Sequence, residues 1–217
     1  MARFPGARSP RARTPRALTL GLDAITVEGS LIAPAMLAQV AAQPDDDATR
    51  TAYRIPKGLA LRDEIARSFR IGQALFTDLT ASPTPSAAKT IAFAEAFLRD
   101  VLGFTDIARP GTRTQEDRVF AVTLEALGGR VPVVVVPPSD DLDRPSTHLP
   151  GDHRRRSAAS ALQDWLNAND DAVWGLATNG ERLRLLRDNA SLTRPAYIEA
   201  DLKRIFEGEA FADFTAL

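Results

Sequence analysis

The run from Val173 to Asp188 constrains the fold of this chain more than any other segment. An apolar arm, Val173-Trp174-Gly175-Leu176-Ala177-Thr178, meets Asn179-Gly180, and an alternating arm follows from Arg182 to Arg187. Asn-Gly tolerates the positive φ angles that a type I′ turn needs at both central positions, so the arms read as a β-hairpin. The first arm shows no polar alternation and predicts a buried strand. In the second, Leu183 and Leu185 face one way and Arg182 and Arg184 the other. With Arg187 these arginines make a basic strand face, either plain solvated surface or an edge turned toward DNA phosphate.

Composition narrows the function classes. The net charge is −1 over 217 residues, so any nucleic-acid contact must come from a local patch rather than from the field of the whole molecule. The absence of cysteine excludes disulfides, thiolate metal sites and a cysteine nucleophile, and fits a cytoplasmic location. No apolar run approaches the ~18–20 residues of a membrane helix. The basic N-terminus is followed by no apolar core, which excludes a secretory signal.

The chain divides into three stretches. Residues 1–17 carry Arg3, Arg8, Arg11, Arg13 and Arg16 among Pro5, Pro10 and Pro15, with no acid. They read as a disordered basic tail, with a phosphate-contacting arm as the functional alternative. Residues 18–85 read as mainly helical: a short extended piece at Ile25 and Val27, a helix at 34–43, a solvated loop at Asp45-Asp46-Asp47, and an amphipathic helix at about 59–80. In that last helix Ile65, Phe69, Gly72, Phe76 and Leu79 recur at four and three spacing. A Ser-Pro linker at 82–86 precedes an α/β stretch from 86 to 217. Its elements are a helix at 87–103, a loop rich in Arg, Thr and Gly, and strands at 119–124 and 130–136. A polar loop at 139–155, a helix at 157–167, the hairpin, a short strand at 197–200 and a helix at 202–209 follow. Phe211 to Leu217 reads as an apolar helix that stops without partners for its side chains, which suggests a truncated fragment.

The order helix, strand, strand, helix, strand resembles the core of the PD-(D/E)XK nuclease fold. The hairpin, with its tryptophan, Thr178-Asn179-Gly180 and basic-apolar arm, is similar to that of nuclease-like domains in large restriction methylases and type I restriction motor subunits. In active members an Asp begins one strand and an acid-x-Lys triplet lies on the next, where they hold Mg²⁺ beside the scissile phosphate. Here the second strand is Val131-Pro132-Val133-Val134-Val135-Val136, without acid or lysine. Asp117 and Glu125 flank the preceding strand with no basic partner at the matching spacing. The resemblance therefore implies a degenerate, restriction-endonuclease-like α/β core: a helical N-terminal segment, then a small mixed sheet flanked by helices.

A narrower resemblance rests on Leu142-Asp143-Arg144, Arg154-Arg155-Arg156-Ser157, Leu162-Gln163-Asp164-Trp165-Leu166-Asn167, Trp174-Gly175, Arg184 to Asn189, Ser191-Leu192-Thr193-Arg194, Tyr197-Ile198-Glu199 and Glu207-Gly208-Glu209. In order and spacing these are similar to the N-terminal region of adenine-specific restriction-modification methylases, including the DISARM-type methylase subunit. The resemblance spans about residues 25–217 and is specific from about 139. A methyltransferase needs a Gly-rich loop for S-adenosylmethionine and an Asn-Pro-Pro motif at the target adenine. This sequence has no Asn-Pro-Pro, so that cofactor is expected only in an associated methyltransferase domain or chain.

The single residues each carry two readings. His148 and His153 with Asp152 are metal ligands or surface loop residues. Arg154, Arg155 and Arg156 at a helix start grip a phosphate, or pair with Asp141, Asp152 or Asp164. Gln163 resembles the glutamine near the substrate backbone in the nuclease fold, or is a plain helix residue. Trp165 and Trp174 are core residues or base-stacking platforms. The expectation is a non-catalytic DNA-binding or docking module of a restriction-modification or phage-defence methylase, with no catalytic or metal-ligating residue. Contacts would come from Arg154, Arg155, Arg156, Gln163, Arg182 and Arg184, and the partners would be DNA, the methyltransferase and other defence subunits. The rivals are an Mg²⁺ nuclease using Asp117 and Glu125, and a protein-interaction module that touches no DNA.

Overall fold

The computed structural model describes residues 22–29, 31–33, 36, 50–51, 55, 57–150, 155–188 and 196–217. The tail, most of the 34–43 helix, the Asp45–Asp47 run, Asp152, His153, Arg154 and residues 191–194 lie outside the described residues.

The fold is mixed α/β. Its main sheet has six strands in the order β1-β8-β7-β6-β5-β4, built from β1 (Ile25–Glu28), β4 (Leu124–Ala126), β5 (Val131–Val135), β6 (Trp174–Thr178), β7 (Arg182–Arg187) and β8 (Tyr197–Asp201). β5 and β6 are parallel, and helix α3 (Ala158–Leu166) lies in the crossover between them; the other pairs are antiparallel. A separate two-stranded ribbon joins β2 (Gly111–Gln115) to β3 (Arg118–Val122). Helices α1 (Leu61–Thr80), α2 (Ala87–Asp100), α4 (Leu202–Glu207) and α5 (Phe211–Ala216) complete the described elements.

Two apolar layers follow from strand alternation. Val133, Val135, Leu176, Leu183 and Ala200 pack with Phe76, Phe93, Phe97 and Phe206 from α1, α2 and α4. On the opposite face Val134, Val136, Ala177 and Leu186 pack with Ala158, Ala161 and Leu162 of α3 and with Leu142 and Leu149 of the preceding loop. β5 therefore feeds both layers, as a β-branched run without polar alternation should. α3 presses closely on the sheet: a Cβ on Gly175 would lie 2.7 Å from Leu162 Cδ1 and 3.1 Å from the Pro132 carbonyl. Trp174-Gly175 is thus a packing requirement as much as a motif.

Four expectations change. The strand expected at 119–124 is divided at Thr123: β3 belongs to the ribbon and β4 to the main sheet. The polar loop before it contains β2, which is exposed along nearly its whole length. The hairpin turn is shifted by one residue: Thr178 pairs with Leu183, and Gly180 (φ 86°) carries the positive φ, which Asn179 does not. Asn179 instead accepts from the amides of Glu181 (3.1 Å) and Arg182 (2.9 Å) and donates to the Asp140 carbonyl (2.9 Å). Lastly, the Phe211–Leu217 segment has partners. The Phe211 and Phe214 rings stand 5.6 and 5.2 Å from Phe69.

The first and last described segments are tied together. Asp213, buried, accepts from the Ala24 amide at 2.6 Å, and Arg204 Nη1 donates to the Asp23 carbonyl at 2.7 Å. Segments 18–85 and 86–217 share one sheet through β1 and β8, and one core through α1 and α4.

Candidate nucleic-acid contact site

The described sequence-derived arginines bracket one loop, whose described residues are 137–150 and 155–156: Arg155 and Arg156 at its end, Arg182 and Arg184 on the strand it covers. Its register is fixed by backbone bonds: Ala159 donates to Leu142 (3.1 Å) and Ser146 to Arg156 (3.0 Å), which seats the loop on the start of α3. Ser157 caps that helix, its hydroxyl accepting from the Ser160 amide at 3.1 Å. Arg155 is exposed beside the helix start, with no ion-pair partner among the described residues. Arg156 is half exposed and reaches Asp164 at 3.3 Å. Arg144 is exposed on the same loop.

The other side of the loop meets β7, where the expected basic face takes a different form. Arg184 is only 4% exposed. Its Nε donates to Glu199 Oε2 (2.8 Å) and its Nη2 to the same oxygen (2.6 Å), while Nη1 and Nη2 hold Asp143 in a bidentate pair at 2.6 and 3.0 Å. The guanidinium also lies 3.9 Å over the Tyr197 ring. Arg182 pairs with Glu199 (2.7 Å) and approaches Asp201 (3.9 Å). Two guanidiniums against three carboxylates leave one net negative charge, so Arg182 and Arg184 do not form a basic edge. Leu183 and Leu185 pack inward, and Asp143 and Glu199 supply the counter-charge that lets an arginine sit on a covered strand.

Charge states follow the geometry. Burial pulls the Arg184 guanidinium down, but its hydrogen bonds to Asp143 and Glu199 outweigh this and hold it above its ordinary value. The Arg184 hydrogen bond holds the Asp143 carboxyl below the usual range. Asp140 is also lowered: burial opposes this, yet hydrogen bonds from Ser146, His148 and Ser139 prevail. His148 Nδ1 lies 2.9 Å from Asp140, which places this histidine in a loop-bracing polar knot. Burial raises the Tyr197 phenol.

The remaining candidates are dispersed. Gln163 lies further along α3, donating to Asn167 (2.8 Å) and to the Arg187 carbonyl (3.2 Å). Trp165 is buried against Phe120, with ring centroids 5.2 Å apart, and Trp174 lies under Arg187 at 5.5 Å. Asp117 and Glu125 are not brought together. Asp117 is at the ribbon's tip, where Glu116 and Asp117 both take positive φ (49° and 61°), whereas Glu125 lies past its base and is held by Arg113 at 2.9 Å. Among the described residues no group of three or more His, Asp or Glu side chains is placed to share a metal ion. Nor is any described helix long and apolar enough to cross a membrane.

Sequence reasoning missed Arg144, Asp143 and Glu199 as members of this region. The signal was present in Leu142-Asp143-Arg144 and in acids alternating along Tyr197–Asp201, but only the sheet register shows that they meet β7. No protein-family model, no curated protein and no solved structure matches this chain.

Proposed function

We propose that the chain is a non-catalytic docking module that touches the DNA backbone within a bacterial restriction-modification or phage-defence system. Adenine methylation would be supplied by an associated domain or chain that binds S-adenosylmethionine. The observation that carries the reading is β5: Val133, Val134 and Val135 are at most 5% exposed and fill both apolar layers, at the place where the nuclease-like order calls for a metal-holding acid and its lysine. Backbone contact falls to Arg144, Arg155 and Arg156 around the start of α3, because Arg182 and Arg184 are occupied.

The test has two arms. Purified protein with Mg²⁺ and supercoiled DNA is expected to give no nicks; reproducible cleavage lost on Asp117→Ala would establish the nuclease rival instead. Binding to duplex DNA should weaken steeply with salt, and the double change Arg155→Ala with Arg156→Ala should reduce the slope of log K against log[salt] by up to ~2. The charge balance around β7 favours a second reading, a protein-interaction module without DNA contact. Affinity that is absent or insensitive to salt selects it.

A further inference from the structure

We propose that the cleft between the β2–β3 ribbon and the C-terminal half of α3 takes an unstacked nucleobase bearing an exocyclic amino group: adenine, cytosine or guanine. The proposal rests on the docking reading and adds base recognition to backbone contact. The cleft is open, has a volume of about 450 Å³, and is lined by Gln115, Glu116, Arg118, Phe120, Asp164 and Asn167. Its floor is closely packed: Phe120 is 1% exposed and backs onto Trp165. The Arg118 guanidinium lies over the Phe120 ring at 4.8 Å, and no carboxylate pairs with it among the described residues. A planar guanidinium seated on an aromatic ring is a stacking platform for a base.

The edges define which base. Gln115 donates through Nε2 to the Ala168 carbonyl, which leaves its Oε1 as an acceptor. Glu116 and Asp164, as carboxylates, accept and cannot donate. Unpaired adenine, cytosine and guanine present an exocyclic amino donor to such groups, whereas thymine offers only its ring N3–H between two carbonyl oxygens. Phosphate is a poor occupant, since two carboxylates oppose the one Arg118. Asp164 also joins the cleft to the backbone-contacting residues through its 3.3 Å pair with Arg156. A nucleotide whose phosphate meets Arg156 therefore has its base beside the cleft. A paired base cannot enter, so single-stranded or locally opened DNA is the substrate.

The experiment uses the full chain. Fluorescent single-stranded homo-oligonucleotides of adenine, cytosine or thymine, about 12 nucleotides long, are compared by anisotropy at one salt concentration. Hydrogen bonds from the amino group to the cleft's acceptors support a preference of roughly tenfold for adenine and cytosine over thymine, on top of base-blind stacking. Arg118→Ala and Arg118→Lys should both abolish it, because lysine keeps the charge and loses the plane, while Arg155→Ala should weaken all three oligonucleotides alike. In parallel, 2′-deoxyadenosine and thymidine are titrated by amide NMR. Deoxyadenosine, not thymidine, should shift resonances at 115–120 and 163–168. Equal affinity for the three oligonucleotides, or a preference that survives Arg118→Lys, overturns the proposal. Salt-dependent, base-blind binding leaves the docking reading standing and removes the cleft. Nucleoside shifts at the cleft without salt-dependent oligonucleotide binding do the reverse.

Discussion

Strands β5 and β7 flank β6 in the same sheet and solve burial in opposite ways. β5 gives valines to both layers and carries no charge. β7 gives Leu183 and Leu185 to one layer and, on the other face, buries Arg184 between Asp143 and Glu199. A strand can hide charge only where its neighbours bring the opposite charge, as β8 and the 137–156 loop do for β7. Among the described residues, nothing plays that part beside Val134. A charge is therefore tolerated where the alternating pattern suggested open surface, and excluded from the valine run.

The largest effect that tests this contrast is Val134→Asp. An acid at that fully buried position has no counter-charge, and the loss should be about 4 kcal/mol or more in a urea melt. A stable variant would show that β5 can carry an acid after all. Next is Arg184→Ala, which leaves the buried Glu199 with only the half-exposed Arg182 as partner and should cost ~2–3 kcal/mol, with Arg184→Met plus Glu199→Leu recovering part of it. Full stability of the single variant would mean that the cluster is solvated and that β7 is an ordinary surface strand. Gly180→Ala should cost ~1–2 kcal/mol, because a Cβ at φ 86° would also sit 2.7 Å from Leu79 Cδ2. The smallest effect is on pH dependence. Asp140 and Asp143 have carboxyls lowered from their ordinary 3.8, so their stabilisation is complete above the unfolded value and erodes as pH falls through the lower folded values. Urea midpoints measured from pH 7 down to pH 3 should fall, and Asp143→Asn should flatten part of that decline.

Periodicity made much of this fold legible. The four and three spacing from Ile65 to Leu79 locates α1, the valine run locates β5, and Trp174-Gly175 with Asn179-Gly180 locates the hairpin. The losses share a cause: patterns whose meaning depends on what packs above them. β2 has the polar sequence Gly111-Thr112-Arg113-Thr114-Gln115 and no buried face, so it resembles a loop until β3 is beside it. Its turn uses Glu116 and Asp117 in place of glycine and gives no local signal. The alternation of Arg182 and Arg184 was visible, but their counter-charges lie 17 residues away at Glu199 and 41 away at Asp143. Thr178-Asn179-Gly180 announces a turn, yet its contacts with Asp140 and Leu79 depend on tertiary structure alone.

The bond between Asp213 and the Ala24 amide has a consequence for how the molecule is made. These groups are 189 residues apart, and β1 pairs with β8, itself late in the chain. During synthesis the ribosome delivers this edge strand long before its anchors. β1 must wait unpaired while the intervening strands are made, and its docking is a natural late step in assembly of the sheet.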